Sequence, residues 1–186
     1  MTAEQAIAFL LFAVVAAITP GPSNFMLTAT GAVAGFVGGL PCLAGVAAGM
    51  GLLIFAVAMG LGQIVLGHAI VLTAMNALGA VMLLWMAWKI ATAPPAAQGE
   101  AAKPVGFVEA ALFQWINPKS WLVSVSAVGT FLQARPEGAW LQAVSFVAVF
   151  LAAMLPCAAV WLVFGASLQR VLRSERAARR FNVAMG

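Results

Sequence analysis

The sharpest chemical clue in the chain is one lysine. Lys119 follows Asn117-Pro118 in the middle of an apolar stretch read as a helical span over 105–133. It lies about 14 residues from either end, some 21 Å at ~1.5 Å per residue, so a side chain roughly 6 Å long cannot carry its ammonium to an interface. A charge left unrelieved at that depth costs several kcal/mol. Lys119 must therefore meet a wet cavity, a partner carboxylate, exposed helix carbonyls or an anionic ligand. Glu109 is the only acidic residue inside a span, and it precedes Lys119 by ten positions on the same span. A ligand carboxylate is the attractive partner. Asn24, Asn117 and Gln114 can add amide contacts to it.

A second interruption, Thr19-Pro20-Gly21-Pro22-Ser23-Asn24, falls in the middle of the first apolar stretch. Its prolines remove two amide donors and clash with preceding carbonyls, so a continuous helix is not expected through it. Amides freed where the helix restarts near Ser23 would present the positive end of a dipole to an anion. Gly/Pro-interrupted hydrophobic segments at corresponding places in two halves of a chain point to a transporter-type binding site at the bilayer midplane. The candidate substrate-binding residues are Pro20, Gly21, Pro22, Ser23, Asn24, Gln114, Asn117, Pro118 and Lys119. Glu109 is a candidate for proton coupling or, equally simply, an interfacial carboxylate.

The elements that must position these groups follow from composition. Of 186 residues 64% are hydrophobic, mean hydropathy is +1.05, and only nine basic and five acidic side chains are present, which excludes a soluble domain. Between Glu4 and Lys89 no residue is charged. Those 84 residues would form a helix of about 126 Å, roughly four times the ~30 Å hydrocarbon core, so the stretch must cross, turn and cross again. Clusters of Gly, Pro and charge delimit spans at 5–32, 39–66, 69–93, 105–133 and 139–168. The N-terminus lacks a basic region and is read as an uncleaved first span. The Pro- and Ala-rich segment 94–104 is a linker between a first three-helix repeat, 1–93, and a second, 105–186, all within one transmembrane domain. Because the half-repeat is three spans long, an odd number, the second copy is inverted. The fold class is thus an all-α polytopic membrane protein of two inverted three-helix repeats with broken first helices.

Basic residues at span ends set the orientation. With the N-terminus outside, inner loops carry Lys89, Lys103, Arg170, Arg173, Arg176, Arg179 and Arg180, and outer loops carry Arg135 alone. The arginine run is expected to face anionic inner-leaflet lipid. Trp85 and Trp88 beside Lys89 fit an interfacial belt. Two glycine pairs at GxxxG spacing, Gly31/Gly35 and Gly45/Gly49, predict close helix contact.

Other chemistries find little support. One histidine (His68, read as a solvated turn residue) and two cysteines give no metal-ligand spacing, and neither a metal nor a cofactor is expected. No residue set favours an enzyme or a nucleic-acid partner. Cys42 and Cys157 are most simply small buried hydrophobes, with a membrane thiol-disulfide electron carrier as the alternative function. A passive channel would need a ring of charge or a carbonyl-rich filter loop.

The T-P-G-P-S-N break, P-x-L-x-G-x-x-x-G from Pro41 to Gly49, L-G-x-x-x-L-L-W-x-A-W-K-I-A from Leu78 to Ala91 and Q-W-I-N-P-K-S-W from Gln114 to Trp121 resemble, in this order and spacing, the LysE/RhtB family of bacterial amino-acid exporters. The segment from Ala87 to Lys103 looks most like its cysteine/O-acetylserine branch. The resemblance implies an inner-membrane secondary transporter of six helices that moves small amino acids out of the cytoplasm, with homo-oligomerisation left open. Many members carry an acidic or amide residue where this chain has Met50, so a proton-carrying carboxylate does not transfer. The family's last helix begins near Arg180-Phe181-Asn182, so the sixth helix is expected to be largely missing here.

Overall fold

In the computed structural model the described residues are 3–62, 103–132 and 138–171, with isolated positions between 68 and 84. Among them every regular element is helical. Helix α1 (Ala3–Ile18) ends at the Thr19-Pro20-Gly21 break, and α2 (Pro22–Ala56) runs into a π-helical turn, Val57–Leu61. After the linker come α3 (Phe107–Ile116), α4 (Pro118–Phe131) and α5 (Ala139–Val171).

Both interrupted spans restart in the same way. Pro22 and Pro118 each occupy the first helical position, where a missing N–H costs nothing and a fixed φ helps. The residue before each, Gly21 or Asn117, is extended. The sequence reading of two proline-marked breaks, at 19–24 and at 117–119, is thus met.

Helix α2 is a hairpin rather than one long rod. Gly35 adopts φ 71° and ψ −175°, a conformation open almost only to glycine. Thr30 and Cys42 are twelve residues apart and would lie about 18 Å from each other in a straight helix. Instead the Thr30 hydroxyl reaches Cys42 Sγ at 3.7 Å. The arms 22–34 and 36–56 are therefore folded together, and Gly35 makes the turn expected between the first two spans. This corrects one expectation. Gly31 and Gly35 do not form a helix-packing pair, because Gly35 is the turn, while Gly31 alone is pressed against the Leu162 carbonyl of α5.

Gly45 and Gly49 do pack as expected. A Cβ on Gly45 would meet the carbonyl of Phe107 and come within 2.8 Å of Ala110 Cβ, and one on Gly49 would meet the Ala111 carbonyl. Between apolar helices in lipid, such close backbone approach is a main source of cohesion. Contacts along the chain show which elements run together. Phe9 faces Phe131 at 5.3 Å between ring centroids, Thr19 and Pro20 meet Lys119, and Ser23 meets Gln114 and Asn117. The broken spans α1 with 22–34 and α3 with α4 are therefore antiparallel and cross at their breaks. The second arm of α2 is likewise antiparallel to α5, with Gly39 against Leu162 and Gly51 against Leu151 and Val147. Phe9 stacked on Phe146 at 4.1 Å, with Phe150 beside them, closes the core between α1 and α5.

By length and composition the stretches Pro22–Leu61 and Ala139–Leu168 are apolar enough to cross a membrane, with Glu4–Ile18 and Phe107–Ile116 as shorter apolar helices. Most of the expected third span, Trp85, Trp88, Lys89, Arg135, the side chain of Arg170, and Arg173, Arg176, Arg179 and Arg180 lie outside the described residues.

Candidate functional site

The crossing of the two breaks builds a polar cluster inside an apolar bundle. Asn117 caps α4 with its own side chain, Oδ1 accepting from the Lys119 N–H at 3.1 Å. Its amide nitrogen donates to Ser23 Oγ at 3.0 Å, and Ser23 donates in turn to Gln114 Oε1 at 2.9 Å. Ser120 donates to the same oxygen at 2.8 Å, while Gln114 Nε2 is held by the Ala110 carbonyl at 3.1 Å. Gln114 and Asn117 are 1% exposed, so the cluster is tied together in the interior by side chains from both halves of the chain.

Lys119 joins the breaks a second time. Its ammonium donates to the carbonyl of Thr19 and, at 3.3 Å, to that of Pro20, the carbonyl end of the first half-span. Among the four partners open to it on sequence grounds, exposed helix carbonyls are the ones in contact. Its stem lies on Gly21, where a Cβ would come within 2.7 Å of Cδ and 3.0 Å of Nζ. Any side chain at position 21 would displace the lysine.

Asn24 also serves the break. Its amide nitrogen donates to the carbonyls of Ala17 at 3.0 Å and Thr19 at 2.9 Å, closing the end of α1 with a residue from the first turn of α2. The opposite end of that gap is left open. Pro22 has no N–H, Gly21 provides no side-chain cap, and the first amide bonded back to the break is that of Phe25, to the Gly21 carbonyl at 3.0 Å. The N–H groups of Ser23 and Asn24 thus lie at a helix start where anions are favoured.

A half-open cleft opens on these groups. Gly21, Ser23, Asn24, Gln114, Asn117 and Lys119 line it, together with Ser120, and Val46, Met50, Val123, Phe150 and Met154 form an apolar wall. Of the sequence candidates, Pro20 contributes its carbonyl, and Pro22 and Pro118 start the helices without lining the cleft. Glu109 is not brought to the cleft. It is exposed at the start of α3, where Oε2 accepts from the Gly106 N–H at 3.1 Å. Ser120 was missed as a site residue although it lies within the Q-W-I-N-P-K-S-W segment. Its position three residues after Asn117, one helical turn on, could have placed it on the same face. The apolar wall was not foreseeable from spacing, since its members come from three different helices.

Cys42 and Cys157 are both free and buried. Among the described residues no group of His, Cys, Asp and Glu could hold a metal ion.

Among the described residues the protein is an all-helical bundle of apolar elements, two of its spans broken at a shared polar cleft, the make-up of a membrane protein. Residues 14–186 match the LysE type translocator family, and the chain belongs to that family. It is similar to the cysteine/O-acetylserine efflux protein of Salmonella choleraesuis (strain SC-B67), 31% identical over 175 residues that cover 93% of this chain and 88% of that one. The cysteine/O-acetylserine efflux protein of Escherichia coli (strain K12) is 30% identical over 187 residues, 100% of this chain and 93% of its own. No solved structure matches. Membership makes this a membrane transport protein of an amino-acid exporter family, as the sequence motifs implied.

Proposed function

We propose that this protein is a secondary transporter of the bacterial inner membrane, with its N-terminus outside, exporting small amino acids or their derivatives from the cytoplasm by alternating access. The observation that carries the reading is the meeting of both broken spans at one half-open cleft. The substrate carboxylate is bound by Lys119 together with the uncapped N–H groups of Ser23 and Asn24, and Gln114 and Asn117 hold these donors in register. Relatives named for cysteine and O-acetylserine efflux support a small side chain, which the apolar wall of Met50, Phe150 and Met154 accommodates.

The antiparallel crossing of the two broken spans, and of the two spans that follow them, supports two inverted repeats at 1–93 and 105–186 joined by a cytoplasmic linker at 94–104. In such an arrangement the cleft sits at the pseudo-two-fold axis, and rocking one repeat against the other opens it to each side in turn. The arginines from Arg170 to Arg180 lie at the inner face against anionic lipid. Glu109, at the start of α3, is the proposed proton-coupling carboxylate.

The test is counterflow in proteoliposomes with a panel of labelled amino acids, including cysteine and O-acetylserine. Saturable exchange of at least one of them, lost in Lys119→Ala with the protein still folded, is the expected result. Unchanged transport by Lys119→Ala over the whole panel refutes the assigned site. Non-saturating flux without counterflow refutes the carrier.

A further inference from the structure

Lys119 lines the cleft, but its ammonium rests at the cleft's edge, on the carbonyls of the exposed residues Thr19 and Pro20 beside Gly21. Three residues, 19–21, separate the carbonyl end of one half-helix from the N–H end of the next, so the gap is negative on one side and positive on the other. The negative side is occupied by the Lys119 ammonium on the carbonyls of Thr19 and Pro20. Among the described residues, no carboxylate lines the cleft. The ammonium of an amino acid therefore has no acidic partner there, and these same carbonyls are the acceptors suited to it.

We propose that Lys119 is a tethered stand-in for the substrate's α-ammonium. In the unloaded protein it latches the carbonyl end of α1 to the start of α4. On loading, a zwitterion places its own ammonium on the Thr19 and Pro20 carbonyls, and Lys119 swings onto the incoming carboxylate beside the Ser23 and Asn24 amides. Both charges of the substrate are thus required, one to replace the lysine and one to receive it. This inference rests on the export reading above and adds to it how the site tells a zwitterion from its one-charged analogues, with N-acylated acids and carboxyl esters rejected.

The exchange also explains how the ammonium is never left without partners. It moves from one set of oxygens to another over the length of its own side chain, and its stem slides along Gly21, where no Cβ obstructs it.

The test uses the full chain in proteoliposomes and three probes: S-methyl-L-cysteine, its N-acetyl derivative, which has no cation, and its methyl ester, which has no carboxylate. Each competes against whichever panel amino acid shows counterflow. Wild type is expected to bind the zwitterion and to bind each one-charged analogue at least about tenfold more weakly, the loss expected for one hydrogen-bonded charge. In Lys119→Met the α1 carbonyls are vacated, so binding of the methyl ester is expected to rise above wild type while binding of the zwitterion falls. If the N-acetyl derivative matches the zwitterion in wild type, the ammonium is not read and the exchange is wrong, although export stands. If Lys119→Met is folded and its ester binding does not rise, the latch is likewise wrong. Absence of counterflow for every panel amino acid refutes the export reading itself, and the exchange with it. The three-probe comparison in wild type decides the matter even if the variant does not fold.

Discussion

Adding one methyl group at Gly49 should disturb a site to which Gly49 does not belong. The Cβ of Gly49→Ala would sit 2.4 Å from the Ala111 carbonyl oxygen, and ordinary van der Waals contact begins at 3.4 Å, so α3 must withdraw by about 1 Å. The obstruction is backbone and cannot rotate away. Gln114 lies three residues beyond Ala111 on the same helix, and its Oε1 accepts from Ser23 at 2.9 Å. Carried through a rigid helix, the same displacement stretches that bond to about 3.9 Å, where it is lost. Overpacking costs about 1–3 kcal/mol and the weakened bond adds to it, so the variant should melt several degrees lower in detergent. Maximal counterflow should fall for every substrate, with their order of preference unchanged, because the cleft is displaced and its chemistry is kept. Gly129→Ala is the control. Nothing lies within 4 Å of its Cβ, and helix propensity predicts a neutral or slightly stabilising change. A Gly49→Ala protein as stable and active as wild type would refute the coupling of α2 and α3 packing to the site.

Three further outcomes can be checked. Gly35→Ala forces a side chain into the turn of the α2 hairpin and should cost about 1–3 kcal/mol in thermal unfolding, more than Gly38→Ala three residues on. A double-mutant cycle of Ser23→Ala and Asn117→Ala should give a coupling of about 0.6–1.7 kcal/mol, and additive effects would show that their 3.0 Å bond contributes nothing. The Cys42→Ser/Cys157→Ser protein should keep wild-type counterflow, and the wild type should run unchanged on a gel after reduction, whereas loss of activity in a folded double variant would revive the electron-carrier alternative.

How far the site could be read from residues alone depends on how local its causes are. Both breaks were visible because proline acts on its immediate neighbours, and Pro20, Pro22 and Pro118 mark the gaps without help from the rest of the chain. The partner of Lys119 was not decided, because carbonyls at a helix end carry no signature in residue type. Scarcity of acidic residues pointed to a ligand carboxylate, and in the structure the ammonium meets the Thr19 and Pro20 carbonyls, another of the four partners open to it. Asn24 looked like a ligand contact for a similar reason, yet its amide nitrogen serves the Ala17 and Thr19 carbonyls. Glycine spacing was ambiguous in kind. The same interval describes Gly45/Gly49, which packs against α3, and Gly31/Gly35, whose second member is a turn, and only the backbone dihedral separates them.

The pairing of the two breaks also bears on how the protein is made. Ser23 waits 91 residues for Gln114, and Thr19 waits 100 for Lys119. During synthesis the first span must enter the bilayer with Asn24 closing the end of α1 but with the Pro20 carbonyl and the start of α2 unmet, a state costly in lipid. The early part of the chain therefore depends on water, the insertion machinery or lipid headgroups until its later half arrives. A nascent chain stalled before Asn117 lacks the Asn117 and Lys119 side chains that meet that gap, so completing the cleft is also the step that completes the first span.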